Sequence, residues 1–301
     1  MKFDSYHPAI NLIYFVAAIG CAFAFNHPVF VAISFAAAFA YSVKLNGLRG
    51  LVFNLCLIPV CAAYVAWYSY YTHFGVTVLS QNFVDNNITL EAILYGIQQA
   101  FTAAAFLMFM SCVFSVISSD KVVYLFGKVS PKLSLFLSIL LRTVPRVKTT
   151  VRRINVSRGG VGRGTSGNGL GLIARLRNAL TIISITITWT LESFLESSLS
   201  MKSRGYTLKG RTAFSIYRFD NRDRSFVIFL FICLTLIAMA IMLDQTRIIY
   251  DPIIYMNRIT RTSCIFYLAY AAMLIMPMIL QIAGEIRFAQ LRKSAIPAVH
   301  D

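Results

Sequence analysis

Six stretches of this chain contain no charged residue: 9–25, 28–43, 51–71, 92–117, 226–243 and 264–284. A helix needs roughly 20 residues to cross a ~30 Å hydrocarbon core, and backbone in lipid must satisfy its own hydrogen bonds. Runs of this kind fold as helices, and composition points the same way. Hydrophobic residues make up 57% and charged residues 13% of the 301, whereas a soluble domain carries about 25% charge. The chain reads as an all-α polytopic membrane protein with about six transmembrane helices, not as a soluble globule or a disordered segment. The first two runs are joined only by Asn26, His27 and Pro28, which predicts a helical hairpin. The acid and proline of the opening MKFDSYHPAI, with no small-residue cleavage site after the apolar run, predict a retained first helix rather than a signal peptide.

Charge is distributed very unevenly. The formal net charge is +16, yet residues 118–224 hold 19 Lys and Arg against five acids, a net of +14. The 44–50 loop carries Lys44 and Arg49, the 72–91 loop carries neither Lys nor Arg, and the C-terminal tail has Arg287, Arg292 and Lys293. Positively charged loops stay in the cytoplasm. The expected orientation puts both termini, the 44–50 loop and the 118–224 segment in the cytoplasm, with Asn26–Pro28, 72–91 and 244–263 outside. Arg247, Arg258 and Arg261 run against the last placement, which rests on parity. The expected parts are a four-helix membrane region (1–117), a cytoplasmic coupling region (118–210) and a two-helix membrane region with a basic tail (211–301).

The central segment predicts two long amphipathic helices. The first starts at Pro131, a favoured first-turn residue. Its apolar run, Leu133–Leu141, is too short to span. Beyond it Arg142, Arg146, Lys148, Arg152 and Arg153 alternate with apolar residues at helical spacing. Pro145 is expected to kink it, and Gly159-Gly160 to end it. The second runs from about Leu170 to Arg204. Leu176, Leu180, Ile183, Ile187, Leu191 and Phe194 form one stripe, continued by Ile173 and Leu195, and its charge-free stretch, Asn178–Leu191, covers only fourteen residues. The glycine-rich GGVGRGTSGNGLG between the helices reads as a flexible linker. Such a pair could be a stand-alone adaptor resting on anionic lipid. Its endings suggest more, because both helices close on Ser-Arg-Gly: Ser157-Arg158-Gly159 and Ser203-Arg204-Gly205. Glycine takes the left-handed cap cheaply, arginine suits the negative helix end, and a guanidinium fork can enter a groove and bind carboxylates or carbonyls. The pair reads as two equivalent plugs for two related sockets. Arg163-Gly164 in the linker repeats the dipeptide without a helix behind it.

At these residues the chain resembles the T component of energy-coupling factor transporters, the membrane scaffold of ATP-binding-cassette micronutrient importers. SLFLSILLRTVPRVKTTVRRINVSRG, with Arg142 and Pro145, is similar to the segment before that family's first motif. FLESSLSMKSRGY, with Met201 and Tyr206, is similar to the segment before its second. The likeness is strong over 118–225 and weak in the first four spans. His7-Pro8-Ala9-Ile10-Asn11 stands where many members carry an Asp-Pro-Arg-x-Lys-like motif, and the last span, 264–284, looks like an added or divergent piece.

The resemblance implies partners and roles. Two cassette ATPase subunits would take the tips, Arg158 in one groove and Arg204 in the other. One substrate-binding S component would dock on the stripe Leu176, Leu180, Ile183, Ile187, Leu191 and Phe194. The long helices would carry ATP-driven movement to it, for vitamin or metal-ion uptake across a bacterial or archaeal cell membrane. ATP and magnesium would belong to the ATPases; this chain would bind no cofactor and catalyse nothing. The residues agree, since no G-x-x-x-x-G-K-[ST] phosphate loop is present.

Other chemistry finds little support. His7, His27, His73 and His300 lie at span edges or termini, and the six cysteines read as small buried hydrophobes, so no metal site or disulfide framework is expected. A channel or secondary carrier would need ionisable residues at membrane depth, and the six runs hold none. Asn54 reads as an interhelical hydrogen-bonding residue. Glu192 and Glu196, one turn apart, are expected to meet charged groups on a neighbouring helix. Tyr206, Phe214, Tyr217 and Phe219, interleaved with Lys209, Arg211, Arg218, Arg222 and Arg224, suit the inner headgroup layer better than nucleic acid.

Overall fold

The computed structural model describes residues 3–72, 74–81, 87–165, 171–206, 208, 217–251, 254–257 and 259–295. His73, Lys209, Arg211, Phe214, Arg258 and His300 lie outside these. Among the described residues there are nine α-helices: α1 (Pro8–Ala24), α2 (Pro28–Asn46), α3 (Leu48–Tyr71), α4 (Leu90–Val116), α5 (Ser119–Val129), α6 (Pro131–Gly160), α7 (Leu172–Ser203), α8 (Asn221–Met242) and α9 (Arg261–Ala295). Two short antiparallel hairpins, β1 (Val78–Gln81) with β2 (Asn87–Thr89) and β3 (Ile248–Ile249) with β4 (Tyr255–Met256), sit in loops that show no strand signal in the sequence. The chain divides into two compact units, Met1–Ser118 with Tyr217–Asp301, and Ser119–Ile216. The two membrane regions expected as separate parts, 1–117 and 211–301, fall in one unit apart from residues 211–216, and the central segment with those residues forms the other.

In the first unit, α1 and α2 begin in the same way. His7 and His27 are the N-caps, each ring Nδ1 accepts the backbone N–H two residues on at 3.3 Å, and a proline follows at the first helical position. Nδ1 must be unprotonated to accept, so the cap needs neutral imidazole. Nε2 of His27 then donates to the Tyr267 hydroxyl at 3.4 Å. Burial lowers the His27 pKa below 6.5. The folded state thus favours the neutral ring, and stability is lost as the pH falls below 6.5, where an unfolded histidine gains a proton. His27→Asn keeps an N-cap acceptor without the titration. Melting temperature measured from pH 7.5 to 5 is expected to fall less steeply in this variant than in wild type; parallel curves would contradict the assignment.

The expected hairpin of the first two helices exists in the chain, but α2 packs mainly on α4, α3 and α9, and α1 on α4. Gly47 (φ +61°) alone joins α2 to α3, and a Cβ on Gly50 would stand 2.7 Å from the Ser42 carbonyl oxygen, so α3 closes tightly on α2. Asn54 does bridge helices as expected: its Oδ1 accepts from Ser42 Oγ at 3.2 Å, and its Nδ2 donates to the Phe39 carbonyl at 3.4 Å. All six cysteines are free, but Cys56 and Cys264 face outward rather than into the core.

The last helix is not an appendage. Tyr270, Met273 and Leu274 of α9 are fully buried among Tyr14, Phe25 and Phe30. The Tyr14 hydroxyl donates to the Leu274 carbonyl at 3.1 Å, the Ser34 and Tyr270 hydroxyls lie 2.6 Å apart, and Lys44 pairs with Glu285 at 2.6 Å. The expectation of an added piece came from reading 264–284 against shorter members of the family the sequence resembles. Its buried face gives it a structural role in this chain.

The contacts also fix which helix ends lie together. At one end of the first unit the N–H groups of Asn26 and His27 both donate to the Thr246 carbonyl at 3.1 Å, and the rings of Tyr95 and Tyr250 meet at 5.5 Å. The 25–27 turn, the start of α4 and the 244–260 loop are therefore neighbours, despite the arginines of that loop. At the other end Lys44 meets Glu285, Asn46 Nδ2 donates to Ser111 Oγ at 3.0 Å, and the rings of Phe3 and Phe226 meet at 5.5 Å. Helices α1, α2, α3, α4, α8 and α9 thus alternate in direction.

By length and composition, α2, α3, α4, α7, α8 and α9 can cross a membrane, while α1 has 17 residues, the lower end of what spans. This set contains α7, which the sequence reading kept out of the bilayer.

Candidate functional site

The second unit is built on α5, α6 and α7. The short α5, not foreseen from the sequence, packs on α6, where Ser134 Oγ donates to the Val123 carbonyl at 3.2 Å. Helix α6 continues through Pro145, which has no N–H for the Leu141 carbonyl. Helices α6 and α7 run antiparallel. One cleft between them is bordered by Arg153 and Thr150 facing Trp189 and Thr190, the other by Leu135 and Ser138 facing Met201 and Tyr206, with Thr143 and Phe194 in both. Ile154 of α6 and Ile182 and Thr186 of α7 are buried.

The linker is partly a fastening. Asn155 Oδ1 accepts from both the N–H and the hydroxyl of Thr165 at 3.0 Å, and Asn178 Nδ2 donates to the Gly164 carbonyl at 3.1 Å. A Cβ at Gly164 would stand 2.9 Å from the Gly159 Cα, so this stretch folds closely against the end of α6. The flexible-linker expectation fails for residues 161–165, and residues 166–170 lie outside the described ones. The signal was an asparagine near each helix end, facing a glycine run.

Both helices close in a Schellman cap, though not at matching residues. On α7, Arg204 is the C-cap and Gly205 takes φ +77°. Its N–H donates to the Lys202 carbonyl at 3.1 Å, and the Tyr206 N–H donates to the Met201 carbonyl at 3.2 Å. On α6 the left-handed residue is Gly162 (φ +74°), not Gly159. Gly162 N–H donates to the Gly159 carbonyl at 3.0 Å, and Arg163 N–H to the Arg158 carbonyl at 2.9 Å. Ser157, Arg158 and Gly159 therefore lie inside the last turn of α6, whereas Ser203, Arg204 and Gly205 form the end of α7 itself. Arg204 is exposed; Arg158 is half-buried, and its Nε donates to the Arg163 carbonyl at 3.4 Å. The expectation of two equivalent plugs is corrected: the glycine that ends α6 comes three residues after its motif.

Antiparallel packing sends the two arginines to opposite ends of the hairpin. Arg158 lies 15 residues beyond Thr143 and Arg204 lies 10 beyond Phe194, in opposite directions. At ~1.5 Å per residue this separates them by roughly 30–40 Å. Between them the stripe on α7 is open: Leu176, Leu180, Ile183, Ile187, Leu191 and Phe194 are exposed by 38–64%. A continuous apolar face of this kind marks an interaction surface. Glu192 and Glu196 share a cleft with Arg146 and Arg153, yet form no ion pair with them, so the expected charged contact is proximity only. Among the described residues no three His, Cys, Asp or Glu side chains converge as a metal site would require.

Fold and site together define an all-α, multi-pass membrane protein carrying a long basic helical hairpin with an open apolar face. No protein-family model and no curated protein matches the sequence.

Proposed function

We propose that this chain is the membrane scaffold, or T component, of an energy-coupling-factor importer. Two ATPase subunits, which carry ATP and magnesium, take Arg158 and Arg204, and one S component packs on the α7 stripe from Leu176 to Phe194. Movement of the ATPases displaces the hairpin and with it the S component, driving vitamin or metal-ion uptake. The chain itself is not an enzyme and binds no cofactor or nucleic acid. Its place is the cell membrane of a bacterium or archaeon, with both termini cytoplasmic and basic faces against anionic lipid.

The observation that carries this reading is the opposed placement of the two arginines on one antiparallel hairpin. Two separate sockets need two tips tens of ångströms apart, and a helix joining them can transmit displacement. The stripe between the tips supplies a surface for a third partner. Purification from native membranes in mild detergent tests it. The reading expects two ATP-binding subunits to accompany the chain. A stand-alone adaptor would come alone, and that result would overturn the reading.

A further inference from the structure

The two clefts between α6 and α7 are lined with different charge. In the first, Arg146 and Arg153 are balanced by Glu192 and Glu196. The second, about 730 Å³, holds Arg142, Arg146 and Lys202 and no acid. None of these three cations makes a hydrogen bond or ion pair among the described residues. Beside them stands an apolar wall, Leu135, Ile139 and Met201, with serine hydroxyls between. Cations over an apolar wall match a ligand that is anionic at one end and greasy at the other. A free inorganic anion would leave the wall unused, and an acidic peptide would meet it with polar backbone.

The second cleft lies where α6 begins and α7 ends. Only residues 117–130 separate α4 from α6, and residues 204–220 separate α7 from α8. The first cleft lies further along, toward the glycine-rich turn.

We propose that the second cleft is a binding site for an anionic phospholipid, its phosphate held by Arg142, Arg146 and Lys202 and its acyl chain laid along Leu135, Ile139 and Met201. Arginine gives phosphate a bidentate fork and lysine a point charge. The inference rests on the hairpin meeting the inner headgroup layer and does not require the ATPases.

The full chain, purified in mild detergent and delipidated, is titrated with phosphatidylglycerol, phosphatidylcholine or inorganic phosphate. Bound lipid is counted by native mass spectrometry, and melting temperature is followed. Phosphatidylglycerol is expected to bind and stabilise, and the other two are not. Each cation near a lipid surface contributes about 1 kcal/mol, so Arg142→Gln with Lys202→Gln is expected to weaken phosphatidylglycerol binding about tenfold or more. Lys148→Gln with Arg152→Gln, outside the cleft, is expected to change it less than about twofold. The single change Arg146→Gln reads the same site if the double variant folds poorly. Equal losses in the two pairs would mean diffuse surface attraction, and equal stabilisation by phosphatidylcholine or phosphate would remove the anionic-lipid assignment; either overturns the proposal. ATPase co-purification, read separately, is expected to survive Arg142→Gln with Lys202→Gln. The absence of ATPases from the wild-type preparation, with lipid binding intact, would count against the importer reading alone.

Discussion

If the chain is the scaffold proposed above, reversing both tip charges, Arg158→Glu with Arg204→Glu, is expected to abolish co-purification of the proposed ATPase subunits. Removing one partner of a buried, hydrogen-bonded charge pair at an interface costs about 2–5 kcal/mol, and reversal adds repulsion. Each single variant is expected to retain partial association through the other tip. The larger single loss is expected at Arg204, which caps its helix and is exposed. Arg158 lies one turn inside α6 and already donates to the Arg163 carbonyl, so its contact carries a local competitor. A glutamate at a helix C-terminus also costs about 0.3–1 kcal/mol through the dipole, so Arg→Gln variants at the same positions separate docking from helix stability. Arg163→Glu, beyond the cap, is the control and is expected to keep its partners. Quantified pull-downs decide this; a double variant that retains both ATPases would remove the sockets from the account.

Tyr270→Ala is expected to have the largest effect on stability. The ring is fully buried on α9 between Phe25 and Phe30, and its hydroxyl meets Ser34. Truncating a buried aromatic side chain costs about 3–5 kcal/mol, a large share of the roughly 5–15 kcal/mol that holds a typical domain folded. Tyr270→Phe keeps the ring and loses only one hydrogen bond, about 1 kcal/mol. The alanine variant is expected to melt far below wild type in detergent, and the phenylalanine variant close to it. If α9 were a peripheral addition, alanine would leave the melting temperature nearly unchanged.

The membrane helices were legible because charge cannot be hidden in lipid. Every charge-free run became a helix, with ends shifted by five residues or fewer except for α9, which runs eleven residues past its charge-free run to Ala295. The neighbours of each helix were not legible: α9 joined α2 through Tyr270 and α1 through Leu274, contacts that depend on side-chain shape rather than periodicity. His7-Pro8 and His27-Pro28 were in view as a repeated dipeptide, and histidine is an uncommon cap, so their shared role emerged only from the ring geometry. On the hairpin, the α7 stripe was legible from spacing. The position of the α6 cap was not, because Gly159, Gly160, Gly162 and Gly164 all permit a left-handed turn. The bonds of Asn155 and Asn178 to Thr165 and Gly164 accompany a turn that closes at Gly162. Antiparallel pairing, which sets the tips apart, is a tertiary fact that no local pattern carries.

The account stands on α7 remaining outside the bilayer although its composition would permit a crossing. Its charge-free stretch from Asn178 to Leu191 is about 21 Å of helix, short of a ~30 Å core. The most direct measurement is thiol labelling of Ser184→Cys, at the middle of that stretch, in a background without the native cysteines, using a membrane-impermeant maleimide. Phe231→Cys on the outer face of α8 serves as the lipid-facing reference. Rapid labelling of Ser184→Cys in inside-out vesicles, with none in intact cells, is the predicted result. Protection equal to that of Phe231→Cys in both preparations would place α7 in lipid and contradict the account.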